Sequence, residues 1–463
     1  MEVRVVIMAA GKGTRMRSAH PKVLHRLAGQ SLLQHVLDAS GALGAERTIV
    51  VVGHGAAAVE QASAGPNRSF VRQEPQLGTG HALQQAAPLL GDDGTTLILN
   101  GDVPLIESET LRRLVAASAG ARLALLTVQL ADPHGYGRIV RAAGAESGIA
   151  TIVEEKDASA AQRALREVYT GAMAAPTRAL KRWLAALRND NAAGEYYLTD
   201  VVAMAVAEGV EVTAVQAGSE AEVLGVNSAE QLAALERHHQ AAAASRLMAG
   251  GVRLADPARF DLRGELVCGS DVEIDVGCIF EGRVELGDGV RIGAYCVLRN
   301  VQVDAGALLR PYTHVDGEGL GARIGARAIV GPFARLRGGA VLGVEVHVGN
   351  FVEVKNSNLG DGAKANHLAY LGDTDLGKRV NFGAGSITAN YDGANKHRTV
   401  VGADAHIGSN SVLVAPVVVG AGATIGAGST IARDAPAGQL TVARARQASF
   451  PGWKRPQKKA PPA

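Results

Sequence analysis

The stretch that decides the fold of the second half of the chain is IGARAIVGPFARLRGGAVLGVEVHVGNFVEV, residues 324–354. An aliphatic side chain stands at every sixth position of this stretch: Ile324, Val330, Leu336, Leu342, Val348 and Val354. A helix repeats every 3.6 residues and a strand every second residue, so neither produces a period of six. The period is typical of a hexapeptide solenoid, in which each repeat forms one short strand and a turn.

The same period extends beyond this stretch in both directions, with offsets at which the register restarts. Its other aliphatic or small positions are Leu286, Ile292, Leu298, Leu359, Ala365, Leu371, Leu376, Phe382, Val401, Ile407, Leu413, Val419, Ile425 and Ile431. Glycine often follows the aliphatic residue, which accounts for the excess of 57 glycines over 16 prolines, because small residues allow tight corners. Residues 391–399 break the repeat and predict a protruding loop. Known hexapeptide solenoids are left-handed parallel β-helices, although the period itself does not show handedness.

The first half of the chain has a different pattern, in which short apolar runs alternate with helix-length segments. Residues 3–8, 48–52, 96–99 and 123–128 are apolar runs of strand length, and residues 81–90 and 110–117 are of helix length. This alternation predicts an α/β domain with a mostly parallel sheet and helices on both faces. Ligands of such sheets bind at the carboxyl ends of the strands.

Composition and charge exclude several classes of protein. The 47 basic and 45 acidic residues give a net charge of +2, which provides no reason to expect a nucleic-acid partner. No apolar run approaches the roughly 18 residues of a membrane span, and the N-terminal apolar run is too short for a signal peptide. Cys268, Cys278 and Cys296 are too few and too irregularly spaced for a disulfide framework or a zinc site. We therefore expect free thiols in a reducing compartment and a cytoplasmic protein.

A glycine-rich loop, AAGKGTRM at residues 9–16, directly follows the first predicted strand. Glycines in such a loop let backbone N–H groups approach phosphate oxygens, and Lys12, Arg15 and Lys22 add positive charge. Asp102 follows another predicted strand in a turn, an arrangement that can hold Mg²⁺ near phosphates. Taken singly, the loop fits a plain tight turn equally well, and a lone turn aspartate fits simple solvation.

Together with further motifs, these segments resemble one family. The motifs are PKVLH at 21–25, QLGTGH at 76–81, GDVPL at 101–105, GYGRI at 135–139, GEYYLTD at 194–200 and GVN at 225–227. The chain resembles the bacterial bifunctional N-acetylglucosamine-1-phosphate uridyltransferases/glucosamine-1-phosphate N-acetyltransferases over nearly its whole length. The resemblance implies a Rossmann-like uridyltransferase domain at residues 1–227 and a helical linker at 228–248. It also implies a left-handed β-helix acetyltransferase domain with a C-terminal tail at residues 249–463.

The resemblance also implies the reactions. Acetyl-CoA would acetylate glucosamine-1-phosphate, and UTP would then donate a uridylyl group to N-acetylglucosamine-1-phosphate with Mg²⁺ as cofactor and release of pyrophosphate. The implied assembly is a homotrimer formed through the β-helix. One alternative is a sugar-1-phosphate nucleotidyltransferase with a single activity and a scaffolding β-helix. A second is a non-catalytic regulatory subunit, against which the retained Arg15, Lys22, Asp102 and Asn227 count.

For uridylyl transfer, the resemblance implies that Lys22 and Arg15 act on the phosphates and that Asp102 and Asn227 are the Mg²⁺ ligands. The positions implied to bind nucleotide or sugar are Met8, Ala9, Ala10, Gly11, Lys22, Gln73, Gly78, Thr79, Asn100, Gly101, Asp102, Gly137, Glu154, Tyr169 and Asn227. Tyr169 departs from the pattern, because many relatives have an asparagine that touches the sugar there.

For acetyl transfer, the resemblance implies that His367 is the general base, a role suited to a side chain that titrates near neutral pH. The implied sugar-phosphate contacts are Arg337, Lys355, Tyr370 and Asn381. The implied acetyl-CoA contacts are Ala384, Asn390, Tyr391, Ser409, Ala427 and Arg444. Any one of the solenoid's polar residues alone fits surface decoration. The basic tail at residues 451–459 fits a solvated end or a contact with coenzyme A phosphates of a neighbouring subunit.

Overall fold

The computed structural model describes residues 2–142 and 148–458. The chain divides into two compact units, Met1–Ala242 and Ala243–Ala463. A helix, Ala229–Ala249, covers the segment predicted as a helical linker, and the division between the units falls inside it. The last residue of the basic tail, Lys459, lies outside the described residues.

The first unit consists of strands and helices that alternate along the chain. Its strands are β1 Val3–Ala9, β2 Arg26–Leu27, β3 Gln30–Ser31, β4 Arg47–Val52, β5 Arg68–Arg72, β6 Thr95–Asn100, β7 Leu123–Gln129, β8 Gly137–Arg141, β9 Ile149–Val153, β10 Glu167–Pro176 and β11 Val212–Gln216. Its helices are α1 Leu32–Gly41, α2 Ala56–Ala62, α3 Thr79–Ala86, α4 Ser108–Ser118, α5 Ala160–Arg163, α6 Thr177–Ala186, α7 Asp200–Ala207 and α8 Glu220–Val223; α9 is Ala229–Ala249.

The main sheet of the first unit has the order β11-β7-β10-β6-β1-β4-β5. All pairings along this order are parallel except those of β10, which runs antiparallel to β6 and β7. Alternate residues of β1 enter two different cores, with Val6 in one and Val5 and Ile7 in the other. Helices therefore cover both faces, and the predicted mostly parallel α/β sheet is confirmed.

The sequence did not predict β10 or the antiparallel hairpin β8–β9 that pairs with it. Most of β10 is buried on both faces, so its sequence lacks the alternation of a half-exposed strand. A register shift interrupts β10 between Tyr169 and Met173. Gly171, inside this bulge, has a φ of +92°, which favours glycine over residues with a Cβ.

The second unit is a parallel β-helix whose short strands stack in three rows. The first row is Arg253–Leu254, Glu273–Ile274, Arg291–Ile292, Leu308–Leu309, Ile329–Val330, His347–Asn350, Lys364–His367, Asn381–Phe382, His406–Ile407, Thr424–Ile425 and Leu440–Thr441. The second row is Phe260–Cys268, Cys278–Leu286, Val297–Val303, His314–Asp316, Arg335–Arg337, Glu353–Lys355, Tyr370–Gly372, Ile387–Ala389, Val412–Val414 and Thr430–Ile431. The third row is Ala322–Ile324, Ala340–Leu342, Ser357–Leu359, Thr374–Leu376, Thr399–Val401 and Val417–Val419.

The period of six marks the inside of this β-helix. The side chains at the six positions of this period, Ile324, Val330, Leu336, Leu342, Val348 and Val354, are each at most 1% exposed and belong to one continuous core. Neighbouring strands pair in parallel, from Leu254 with Ile274 at the start to Ile425 with Thr441 at the end. The predicted solenoid is confirmed, and its repeat is consistent with a left-handed β-helix. Residues 391–398 form the predicted excursion from the coils, and most of their side chains are exposed.

The three cysteines are free thiols, as predicted. Burial raises the pKa of Cys268 and of Cys278 to about 11 and that of Cys296 to about 12. Cys278 and Cys296 belong to the core and Cys268 packs against it, and the raised pKa values disfavour the reactive thiolate form. Among the described residues, no helix combines the length and apolar character that crossing a membrane requires.

Candidate functional site

The glycine loop and the Asp102 turn meet because β1 and β6 are parallel neighbours. Met8 pairs with Asn100 near the carboxyl ends of the two strands, and the Gly101 N–H donates to the Met8 carbonyl at 2.9 Å. Because the carboxyl ends of parallel strands meet at one edge of a sheet, loops that are distant in sequence come together there.

A cleft of about 560 Å³ lies at this edge. The predicted binding residues that line it are Met8, Ala9, Ala10, Gly11, Lys22, Gln73, Gly78, Thr79, Asn100 and Asp102. Its other lining residues are Lys12, Gly13, Thr14, Val23, Gln76, Ala82 and Glu195. The volume falls within the range of small-molecule sites, and the loop backbone supplies N–H groups to its wall.

Lys22 is the centre of the charged part of this cleft. Its ammonium donates to Asp102 Oδ2 and, at 3.2 Å, to Asn227 Oδ1. Gly13 makes room for this arrangement, because a Cβ at residue 13 would lie 2.7 Å from Lys22 Cβ and its φ is +59°. The Val226 N–H donates to the Asp102 carbonyl at 2.9 Å, which aligns the GVN segment with the turn.

Asp102 and Asn227 form a donor set that fits Mg²⁺. A carboxylate and an amide oxygen are hard ligands, and the Lys22 ammonium already shows that a cation lies favourably between them. No group of three or more His, Cys, Asp or Glu within residues 2–142 and 148–458 is arranged to hold a metal. Two protein ligands nevertheless suffice for Mg²⁺, which takes its remaining ligands from phosphates and water.

A second group of predicted residues, Gly137, Glu154 and Tyr169, gathers on the β8–β9–β10 side of the sheet. Tyr169 pairs with Gly137, and a Cβ on Gly137 would lie 3.8 Å from the Glu154 carboxyl. Thr199 donates its hydroxyl to Glu154 Oε1 at 2.9 Å. Burial, together with the neighbouring acids, raises the pKa of Glu154.

One predicted residue, Arg15, lies apart from the cleft, and two residues without a predicted role, Gln76 and Tyr136, lie in it or near its aspartate. Arg15 sits in a 3-10 turn, Thr14–Met16, with an exposed side chain, and it does not line the cleft. Gln76 lines the cleft and donates to the Ala10 carbonyl at 2.5 Å. Burial and the nearby Asp102 carboxylate raise the pKa of Tyr136. The GYGRI and QLGTGH motifs contained these two residues, but only tertiary contacts assign their positions.

In the second unit, His367 occupies a corner column of the β-helix. Its Nδ1 is 2.8 Å from Asn350 Oδ1, and because that oxygen only accepts, Nδ1 must be the donor. The other ring nitrogen, Nε2, then has a free lone pair in the neutral imidazole. Asn350 on one coil thus selects the tautomer of His367 on the next.

Three predicted acetyl-CoA contacts continue the column of His367 along successive coils. The Gly385 N–H donates to the His367 carbonyl at 3.2 Å, and the following coils repeat this bond at the carbonyls of Ala384 and Ser409. The Arg444 guanidinium donates to the Ala427 carbonyl at 2.7 Å. Ala384, Ser409 and Ala427 therefore form one line of small side chains that begins at His367.

The second row of strands carries a cluster of cations. Arg337 and Lys355 follow the paired residues Leu336 and Val354, so they are neighbours on adjacent coils. Burial and the charges of Arg337 and Lys396 lower the pKa of Lys355. Lys396 comes from the protruding loop and was not among the predicted site residues. Arg337 already pairs with Glu318 and Glu353, each at 3.3 Å, so the positive charge of Lys355 and Lys396 is the part of the cluster that favours a bound anion.

Tyr370 and Asn390 adjoin this cluster at Gly372, which pairs with Lys355. A Cβ on Gly372 would lie 2.4 Å from the Tyr370 hydroxyl and 2.8 Å from Asn390 Nδ2. Asn390 donates to Asp373 Oδ2 at 2.5 Å. Asn381 lies instead on the first row, where its side chain is 3.3 Å from His406. Tyr391 is exposed, and its hydroxyl donates to the Gly393 carbonyl.

Comparison with known proteins assigns both units. Residues 5–256 match the MobA-like NTP transferase domain, and residues 398–433 match the bacterial transferase hexapeptide with six repeats. A protein named bifunctional protein GlmU from Methylibium petroleiphilum is 70% identical over 98% of this chain and 99% of its own. Proteins of the same name from Acidovorax sp. (strain JS42) and Paracidovorax citrulli are each 64% identical over 98% of both chains.

The chain belongs to the bifunctional GlmU family. As a member of the GlmU family with both matched domains, it is a bifunctional transferase of small-molecule substrates, which confirms the prediction from its motifs.

Proposed function

We propose that the cleft of the first unit transfers the uridylyl group of UTP to N-acetylglucosamine-1-phosphate. An oxygen of the sugar phosphate attacks the α-phosphorus of UTP, the bond to the bridging oxygen breaks, and pyrophosphate leaves. Positioning and charge neutralisation carry such a displacement. The observation that supports it is the Lys22 ammonium held between Asp102 and Asn227 at the rim of the glycine loop.

The residues of the cleft have distinct roles in this proposal. The loop from Ala9 to Gly13 presents backbone N–H groups to the phosphates, and Lys22 neutralises the developing charge. Asp102 and Asn227 would hold Mg²⁺. When bound, Mg²⁺ would neutralise phosphate charge at this position. We assign the exposed Arg15 to phosphate contact as well, because its 3-10 turn directly follows the loop.

We propose that the second unit acetylates glucosamine-1-phosphate with acetyl-CoA as the donor. The amine nitrogen attacks the thioester carbonyl, the C–S bond breaks, and coenzyme A leaves as a thiolate that takes up a proton. His367 Nε2 accepts the proton that the amine loses, because Asn350 holds the other nitrogen as a donor. Arg337, Lys355, Tyr370 and Asn381 would bind the sugar phosphate.

The line of small residues from His367 favours the acetyl-CoA assignment. Ala384, Ser409 and Ala427 have small side chains that are at least partly exposed, and we place the extended thioester arm along them. Asn390, Tyr391 and Arg444 flank this line in the proposal. We also assign residues 1–227 to uridylyl transfer, 228–248 to the linker and 249–463 to acetyl transfer.

The proposed assembly is a homotrimer of β-helices in the cytoplasm. Four rings, Tyr295, Tyr312, Phe333 and Phe351, stack on successive coils with centroids 4.9 to 5.5 Å apart. Each is about half exposed, between 47% and 58%, and such a continuous apolar patch is typical of an interface. Sedimentation of the wild type as a trimer and of Phe333→Asp as a monomer is the expected result, whereas a monomeric wild type would contradict the assembly.

A coupled assay tests both reactions at once. Purified protein is given glucosamine-1-phosphate, acetyl-CoA, UTP and Mg²⁺, and free thiol and pyrophosphate are followed separately. We expect both products, with pyrophosphate release dependent on prior acetylation. Pyrophosphate from N-acetylglucosamine-1-phosphate without any thiol release would leave a transferase with one activity and a scaffolding β-helix.

A further inference from the structure

Asp373 is a buried carboxylate in the β-helix, between the strands Tyr370–Gly372 and Thr374–Leu376. It is 8% exposed, and among the described residues no basic side chain forms an ion pair with it. The neighbouring Arg398 is paired with Asp375 instead. Burying a charge without a counter-charge is unfavourable unless hydrogen bonds compensate for the lost water. The hydrogen bonds that Asp373 accepts are therefore the reason to look for a role.

Two asparagines donate to this carboxylate, one from each neighbouring coil. Asn356 Nδ2 donates to Asp373 Oδ1 and Asn390 Nδ2 donates to Asp373 Oδ2, each at 2.5 Å. Both asparagines are 17 residues from Asp373, the length of one coil. A carboxylate accepts through both oxygens and donates through neither, whereas an amide at position 373 would place its own NH2 group against one of the asparagines. The carboxylate therefore fixes the orientation of both amides.

This orientation decides which atom Asn390 offers to a ligand. Because Nδ2 faces Asp373, Oδ1 is the remaining polar atom; it accepts no hydrogen bond from the described residues and is not fully buried. Gly372 makes room for the amide, since a Cβ there would lie 2.8 Å from Asn390 Nδ2. The backbone is also held, because the Asn390 carbonyl accepts from the His397 N–H at 2.8 Å. Asn390 thus presents a fixed acceptor.

We propose that Asp373 is a positioning residue for acetyl transfer, which holds Asn390 Oδ1 ready to accept from an N–H group of a substrate. An amide that could turn over would present NH2 to that group, and two donors do not bond to each other. The amine of glucosamine-1-phosphate and the amides of the acetyl-CoA arm both carry such N–H groups. This role rests on the proposed acetyl transfer and deepens it, because Asp373 acts through Asn390.

The test is the variant Asp373→Gly, which removes both acceptors. Glycine suits this position because the φ of Asp373 is +48°, and the backbone bonds with Lys355 and Thr399 do not need the side chain. Water in the vacated space both donates and accepts, so it would not select one orientation of Asn390. We expect the KM of the substrate that supplies the N–H to rise by about 3- to 10-fold, the scale of one hydrogen bond. The KM of the other substrate should stay unchanged, so the pair of values identifies the source.

Asn356→Gly is the matched control. Asn356 has a φ of +45° and donates to the same carboxylate at the same distance, but it lies on the opposite side of Asp373 from Asn390 along the coils. Its loss removes one buried hydrogen bond and should lower the melting temperature while leaving both KM values unchanged. An equal rise of KM in Asn356→Gly would assign the effect to loosened coils and would overturn the proposal.

The double variant Asn356→Asp/Asp373→Asn exchanges the carboxylate and the amide without changing the total charge. The amide at position 373 would then donate to the carboxylate at position 356, and its oxygen would still accept from Asn390 Nδ2. We expect the KM values of the wild type.

The proposal is wrong if this double variant keeps the raised KM of Asp373→Gly. It is equally wrong if Asp373→Gly leaves both KM values unchanged or raises both alike. Uridylyl transfer by the other unit, measured on the same preparations, should be the same in all variants. A wild type that releases no thiol from acetyl-CoA and glucosamine-1-phosphate would instead refute the proposed acetyl transfer.

Discussion

The two candidate sites are assembled in different ways. In the first unit, Lys22 is joined to Asp102 across 80 residues of sequence and to Asn227 across 205. In the second unit, His367 and Asn350 are 17 residues apart, the length of one coil. The first site forms where the carboxyl ends of several strands converge, whereas the second forms from residues at equivalent positions of successive coils.

This difference predicts how a single substitution affects each site. A solenoid contacts itself only from coil to coil, so a substitution in one column is expected to act locally. The cleft of the first unit joins three loops through one ammonium, so the loss of a single partner disturbs all three. Four experiments test this contrast, in order of decreasing expected effect.

Asp102→Ala should lower kcat/KM for uridylyl transfer by at least about 10²-fold, because Mg²⁺ would lose a carboxylate ligand and Lys22 would lose the carboxylate that positions it. Acetyl transfer should be unchanged. Asp93→Ala removes an exposed carboxylate of the same unit and serves as the control. Near-normal uridylyl transfer by Asp102→Ala at saturating Mg²⁺ would disprove the assignment of Asp102.

His367→Ala should lower the kcat of acetyl transfer by about 10²-fold, the usual contribution of a general base, and should spare uridylyl transfer. The exposed His314, on another row of the same β-helix, provides the control variant His314→Ala. Parallel loss of both activities in His367→Ala would indicate misfolding and would break the contrast between the two sites.

Lys355→Ala should raise the KM for glucosamine-1-phosphate by about 10-fold, since the phosphate loses a charge-assisted partner. Only protonated Lys355 attracts phosphate, and its lowered pKa means that it loses its proton at a lower pH than a free lysine does. The KM of the wild type should therefore rise with increasing pH, below the usual range for lysine. Lys355→Arg stays charged and should shift that rise to higher pH. Identical pH profiles of the wild type and Lys355→Arg would rule out Lys355 as the titrating group.

Asn350→Ala should have the smallest effect, a decrease in acetyl-transfer kcat of about 3- to 10-fold, because His367 loses the acceptor that selects its tautomer. Asn350 acts through His367, so the pH profile of kcat should change together with its magnitude. Asn350→Asp keeps an acceptor for Nδ1 and should restore much of the rate. If the pH profile of kcat for Asn350→Ala equals that of the wild type, Asn350 does not select the tautomer of His367.

The sequence predicted the solenoid and its core residues, because the aliphatic side chains that recur every six residues are the ones that point into the core. It also predicted the α/β alternation, since each buried parallel strand is a continuous apolar run. It failed at β10, which is buried on both faces yet antiparallel, and therefore at the neighbourhood of Tyr169. The family motifs supplied the candidate functional residues, but not which of them touch one another.

By itself, the sequence determined the two architectures and the family, because period, alternation and motif are local properties of the chain. Only the tertiary structure decided that Lys22 lies between Asp102 and Asn227, that Asn350 holds the Nδ1 proton of His367, and that the Tyr169 hydroxyl has no partner within residues 2–142 and 148–458. Those facts depend on strand order, coil stacking and a glycine bulge. Each of these brings together atoms whose distance in space cannot be predicted from their separation along the chain.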